Sequence, residues 1–149
     1  MSKKEFVDNA NTRPGEYRGV IKAISEKGFC PFCPENIEIH HKKPLDVRTY
    51  WIITENMWPY EMTEKHILLI HRNHLDHLNS MTVDSWIELL AIIKEMNTTL
   101  DISGGSFFMR FGDTKFTGAS VSHLHCHLIQ SNPNHEDYEV KKGLFVRLG

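Results

Sequence analysis

Three histidines at i, i+2 and i+4 spacing inside an apolar frame, Ser122-His123-Leu124-His125-Cys126-His127-Leu128-Ile129, constrain this chain more than any other stretch. In a strand, the three imidazoles leave one face of the sheet at about 6.6 Å intervals. A single histidine there would be an ordinary surface residue, but three in register, with Leu124 and Leu128 turned towards a core, point to a site. Spacing alone leaves the chemistry open. Two histidines at i, i+2 plus a third ligand make a common zinc arrangement. A neutral imidazole, with an ordinary pKa of about 6.5, can also attack a phosphorus or acyl centre without a separate base.

The 149 residues suit one domain, expected to span 1–149, and show no internal repeat or long linker. A formal net charge of -2 gives no basic footprint of a dedicated nucleic-acid binder, so a small-molecule partner is expected. No apolar run approaches the ~20 residues that span a bilayer, and Met1-Ser2-Lys3-Lys4-Glu5 leads into polar sequence; no membrane association and a cytoplasmic location are expected. Two of the three cysteines form Cys30-Pro31-Phe32-Cys33. Without a thioredoxin-like βαβ context, half of a zinc site is favoured over a redox pair. Tetrahedral zinc would need two further ligands, such as histidines.

Helical spacing of Tyr17, Val20, Ile21 and Ile24 predicts a helix from Pro14 to Lys27, stopped by Gly28. Runs rich in β-branched and aromatic residues predict strands at Asn36 to His41, Thr49 to Thr54, His66 to Arg72, Gly105 to Arg110 and Ser120 to Ile129, with a last β-prone segment from Glu139 to Leu148. Thr82 caps a second helix whose apolar face is read as Val83, Trp86, Leu89, Leu90, Ile93 and Met96, ending across Asn97 to Asp101. Segregated strands and helices give an α+β class: an antiparallel sheet of about five strands with a main helix packed on one side.

Gly118-Ala119-Ser120 immediately before the histidine row is a small-residue turn whose backbone amides and Ser120 hydroxyl suit phosphate oxygens. With that turn, His123-Leu124-His125-Cys126-His127-Leu128-Ile129 resembles the signature of the histidine triad (HIT) superfamily, His-φ-His-φ-His-φ-φ with φ apolar. Upstream, Asn56-Met57-Trp58-Pro59-Tyr60, His66-Ile67-Leu68-Leu69-Ile70 and then His74 are similar to the family's order of elements. The resemblance covers Cys30 to Ile129 and implies a HIT-like fold and a homodimer.

The resemblance further implies that His125 is the nucleophile, taking the α-phosphoryl group of a nucleotide to form a nucleotidyl-histidine intermediate. His127 would hold the transferring phosphate with Gly118 and Ser120, His66 would support the triad from a neighbouring strand, and Asn56 would bind the ribose. His127, where nucleotidyltransferase branches often carry Gln, leans towards hydrolysis of dinucleoside polyphosphates or nucleotide conjugates. Alternatives are a nucleotidyltransferase or phosphorylase, a non-catalytic nucleotide-binding regulatory protein, and a metallohydrolase liganded by the whole triad. Several branches, including the galactose-1-phosphate uridylyltransferase relatives, imply a structural zinc held here by Cys30, Cys33, His74 and His123. His40 and His41 are a local alternative, although adjacent strand residues point to opposite faces. Ala119 departs from a family pattern with Gln in the phosphate turn, so the leaving-group contacts of that Gln are missing. His71 and His77 are expected in solvent or as spare ligands, and Phe32 and Trp58 either line a purine pocket or fill the core.

Overall fold

The computed structural model describes residues 6–148. Helix α1 (Glu16–Lys27) ends at Gly28, which takes a left-handed conformation at φ 71 and returns its N–H to the Ile24 carbonyl. After the cysteine pair comes one short turn of helix, α2 (Ile37–His40). Three strands follow, β1 (Asp46–Val47), β2 (Trp51–Glu55) and β3 (Thr63–His71). The long helix α3 (Val83–Thr99) starts under a Thr82 cap whose hydroxyl accepts from Ser85 N–H at 3.2 Å. Strand β4 (Ser106–Arg110), a short helix α4 (Thr114–Thr117), strand β5 (His125–Ser131) and a last short helix α5 (Tyr138–Lys141) complete the order. The strands form one antiparallel sheet in the order β1-β2-β3-β5-β4, so the expected five-stranded α+β architecture is observed.

Period-2 alternation divides the sheet into two chemically different faces. Trp51, Ile53, Ile67, Leu69, Cys126 and Leu128 pack against Leu89 and Ile92 of α3 in the main core. On the other face, Ile52, Leu68 and Ile70 pack with Ile37 of α2, and His125 and His127 share that side. Helix α1 closes over this second face through Ile21 and Ile24, which cluster with Val7 and Val121. The histidines therefore lie under a lid made by the first third of the chain, with the main helix behind them.

Four sequence expectations are corrected. Asn36 to His41 is not a strand: the amides of Asn36 and Ile37 both reach back to the Cys33 carbonyl, which starts the α2 turn and buries Ile37 while Ile39 stays exposed. Ser120 to Leu124 is not part of the triad strand, because Val121 bridges Val7, the Ser120 carbonyl accepts from Asp8 N–H and Ser122 N–H donates to the Phe6 carbonyl, while Leu124 N–H goes to the Leu75 carbonyl. Glu139 to Leu148 holds α5 and then no regular element, since Lys142 and Gly143 turn the chain at positive φ and no strand accepts the remainder. The buried stripe of α3 is Ser85, Leu89 and Ile92, with Ile93 and Met96 at its margin, whereas Val83, Trp86 and Leu90 are exposed.

Candidate active site and metal centre

His123 sits just ahead of β5 and breaks the equivalence of the three histidines. Its Nε2–H donates to the His71 carbonyl at 2.6 Å, which turns Nδ1 towards the cysteine pair. Nδ1 is 3.3 Å from Cys30 Sγ, 3.9 Å from Cys33 Sγ and 3.2 Å from His74 Nδ1, and Cys33 Sγ is 3.5 Å from His74 Nδ1. The four donor atoms all lie within 4.8 Å of one another. A tetrahedron with bonds of 2.0 to 2.3 Å has edges of roughly 3.3 to 3.8 Å, so the donor set fits a metal of zinc's size and softness. The other histidines named for this role lie elsewhere. His40 stacks on Phe29, and His41 Nε2 meets Thr54 Oγ1 at 2.6 Å. His71 is buried, not in solvent, and its ring closes a local turn at Asn73.

His125 and His127 lead off β5 towards a cavity of about 430 Å³. His125 Nδ1–H donates to the His123 carbonyl at 2.7 Å, which leaves the lone pair on Nε2. Burial holds its pKa down to about 4, so the ring is neutral at pH 7. The proton on His127 is placed by a relay. Tyr60 N–H donates to His66 Nδ1 at 3.2 Å, so the His66 proton must reside on Nε2. Nε2–H then donates to His127 Nδ1 at 2.8 Å, and the His127 proton is left on Nε2. That Nε2 is buried without a protein partner. Burial, reinforced by the charges of the neighbouring histidines and of Arg110 and Arg13, pushes His127 well below its ordinary pKa; burial also holds His66 at about 3. A lone pair on His125 and an N–H on His127 thus stand side by side, with ring centroids 5.0 Å apart.

Gly118, at φ 70 after α4, carries the chain into the turn, and both it and Ser120 line the cavity. Ser120 Oγ pairs with Tyr17 Oη at 2.5 Å, so α1 anchors the turn directly. Asn56 lines the cavity too. Its Oδ1 accepts from Trp58 N–H at 2.9 Å, and its Nδ2 lies 3.1 Å from His66 Nε2. Phe32 meets His125 edge-on at 4.9 Å, placing it in the cavity wall as well as beside the core. Tyr17, Arg13 and Arg110 also line the cavity and were not singled out from sequence. Tyr17 reads as one more apolar position of α1, and Arg110 shares the triad's face only through the β4–β5 register, which spacing does not supply.

The family model for the HIT domain matches residues 59–134, just over half of the chain. The chain belongs to the HIT family. A HIT architecture is also what the solved structures share with it. A histidine triad nucleotide-binding protein from Candida albicans superposes with a TM-score of 0.60 at 20% identity, covering 81% of this chain and 83% of that one. A HIT family hydrolase from Clostridium thermocellum gives 0.56 at 20% identity, with coverage of 71% and 93%. A Zn-bound histidine triad family protein from Mycobacterium smegmatis gives 0.52 at 17% identity, with coverage of 72% and 77%. At these identities the HIT relatives establish the fold and not the reaction. A search of curated proteins by sequence returned no match. Among the described residues, no helix is long and apolar enough to cross a membrane.

Proposed function

We propose that this chain is a nucleotide hydrolase that acts at the α-phosphorus of dinucleoside polyphosphates or related nucleotide conjugates through a covalent nucleotidyl-histidine intermediate. One observation carries the reading: the hydrogen bond from His125 Nδ1 to the His123 carbonyl leaves a neutral, nucleophilic Nε2 beside the Nε2–H of His127. His125 Nε2 attacks phosphorus, a P–N bond forms and the bond to the leaving group breaks. Water then attacks the same phosphorus and returns His125 to its starting state. His127 Nε2–H and the hydroxyl and amide of Ser120 donate to the phosphoryl oxygens, where one such donor is worth about 2.7 to 4 kcal/mol in the transition state. His66 acts through His127 by fixing its tautomer. Asn56 and Phe32 face the nucleoside.

Cys30, Cys33, His74 and His123 would hold a structural zinc ion, an assignment supported by donor spacing and by thiolate and imidazole chemistry. When bound, the ion supplies a cross-link and no chemistry at phosphorus. A homodimer would cover Trp86, Ile87 and Leu90, which α3 leaves exposed.

Diadenosine tetraphosphate in water, with and without added phosphate, tests the reaction. AMP formed in both conditions, with a trapped adenylyl adduct that His125→Ala abolishes, is the expected result. ADP formed only with phosphate would replace hydrolysis by phosphorolytic transfer, and tight AMP binding without any turnover would replace catalysis by binding. Full activity in His125→Ala would refute the nucleophile.

A further inference from the structure

Among the described residues, four arginines, Arg13, Arg18, Arg110 and Arg147, and no acidic residue line the cavity over the histidines. Arg110 alone among them is built into the sheet, directly opposite His125 in the β4–β5 register. Its Nη1 donates to Tyr60 Oη at 3.2 Å and its Nη2 to the Arg147 carbonyl at 2.8 Å, while its Nε is buried without a partner. Among the described residues, no carboxylate forms an ion pair with it. The guanidinium lies over the Phe108 ring at 5.2 Å, and that ring stacks on His127 at 4.7 Å. A second cation, Arg13, lies 4.6 Å over the Tyr60 ring whose hydroxyl Arg110 holds.

A guanidinium cannot shed its proton and carries five N–H donors, and half-buried Arg110 has one of them, Nε–H, without a partner. A phosphate arriving at Arg110 would take Nε–H together with an Nη–H, the paired geometry that guanidinium groups favour. The α-phosphate already has His127 and the Ser120 turn for donors, so the charge at Arg110 is in excess of what a nucleoside monophosphate needs. Arg110 also lies on the β4 side of β5, whereas Phe32 and Leu68 line the cavity from the β2–β3 side. A nucleoside on the Phe32 side places the group beyond the α-phosphorus near Arg110.

We propose that Arg110 determines leaving-group specificity: it holds the phosphate adjoining the α-phosphorus, so the site prefers conjugates that release a phosphate over those that release a neutral amine. The proposal rests on the reading of His125 as nucleophile. As the bond from His125 Nε2 to phosphorus forms, the bridging P–O bond breaks and its electron pair departs on the leaving phosphate oxygen. Arg110 meets the added negative charge, and departure requires no proton. An amine leaving group must gain a proton as its P–N bond breaks, which Arg110 cannot give. Ala119 offers no side-chain donor for it either.

Calorimetric titration of AMP and ADP into wild type, Arg110→Gln and Arg110→Lys reads the subsite without turnover. Wild type is expected to bind ADP about 10- to 100-fold more tightly than AMP, the range of one or two charge-assisted hydrogen bonds. Arg110→Gln should erase that difference, and Arg110→Lys, which keeps the charge, should retain part of it. Equal affinities in wild type, an undiminished preference in Arg110→Gln, or equal losses for both nucleotides would overturn the proposal. In turnover, the ratio of kcat/KM for diadenosine tetraphosphate to that for adenosine 5′-phosphoramidate should fall at least about tenfold in Arg110→Gln. A parallel fall for both substrates would reduce Arg110 to a structural role. If wild type cleaves neither conjugate, the hydrolase reading fails, while the ADP and AMP affinities still decide the subsite.

Discussion

Withdrawal of the zinc ion proposed for the Cys30, Cys33, His74 and His123 cluster should cost this protein a large part of its stability. The cluster joins Cys33 to His123, residues 90 apart in sequence and 3.9 Å apart at their donor atoms. Treated as a cross-link closing a loop of that length, the ion removes unfolded-state entropy worth about 4 to 5 kcal/mol. An independent route gives a similar figure: a ligand present at about a thousand times its Kd stabilises by about 4.1 kcal/mol. For a chain of this size each kcal/mol moves Tm by roughly 2 to 4 °C, so a chelator should lower Tm by about 10 to 20 °C. Scanning calorimetry with and without chelator, beside metal analysis of the wild type and of Cys33→Ser, measures both quantities. One equivalent of zinc, lost in Cys33→Ser together with the chelator effect, is the expected result. Protein that purifies without zinc and melts at the same temperature in chelator would refute the cross-link.

Two further outcomes test the fold and the relay. Leu89→Ala empties a position that is 1% exposed between α3 and the sheet and should destabilise by about 2 to 5 kcal/mol in denaturant titration with an unchanged m-value. His66, with its pKa held at about 3 by burial, binds its proton more readily when unfolded, so its contribution to stability is complete above pH 6.5 and is lost as pH falls from there towards 3. Unfolding free energies from denaturant titration across that window should fall less steeply in His66→Asn than in wild type, by about 1.4 kcal/mol per pH unit, and identical slopes would contradict a buried neutral ring.

Strands β2, β3 and the edge strand β4 were legible in the sequence from their β-branched and aromatic content. Trp51 to Glu55 and Thr63 to His71 carry apolar side chains on both faces, and their β-branched content matches a buried environment. The Thr82 cap and Gly28 stop were legible because each acts within one turn of its own position. Two expectations failed where a distant segment decided the outcome. Ser120 and Val121 have the propensity for a strand, but the N-terminal segment takes their hydrogen bonds. Val83, Trp86 and Leu90 have helical periodicity, yet the sheet meets the stripe through Ser85, Leu89 and Ile92, where the small Ser85 carbonyl accepts from the Trp51 indole at 2.8 Å. The same limit applies to the site: the motif separated His123 from His125 by resemblance, whereas Tyr17 at Ser120 and Arg110 opposite His125 depend on packing and register.

His123 answers to two masters through different atoms. Its imidazole is committed to the cysteine pair, and its carbonyl orients the His125 ring. The two commitments meet in one residue, so a backbone displacement at His123 moves both the ring and the acceptor on which the His125 tautomer depends. Loosening at the cysteines that shifts this backbone would therefore change the orientation of the His125 ring in the cavity, even though no cysteine faces the cavity. An effort to replace the proposed metal site with an apolar plug would have to preserve the direction of one carbonyl as well as the stability of the fold.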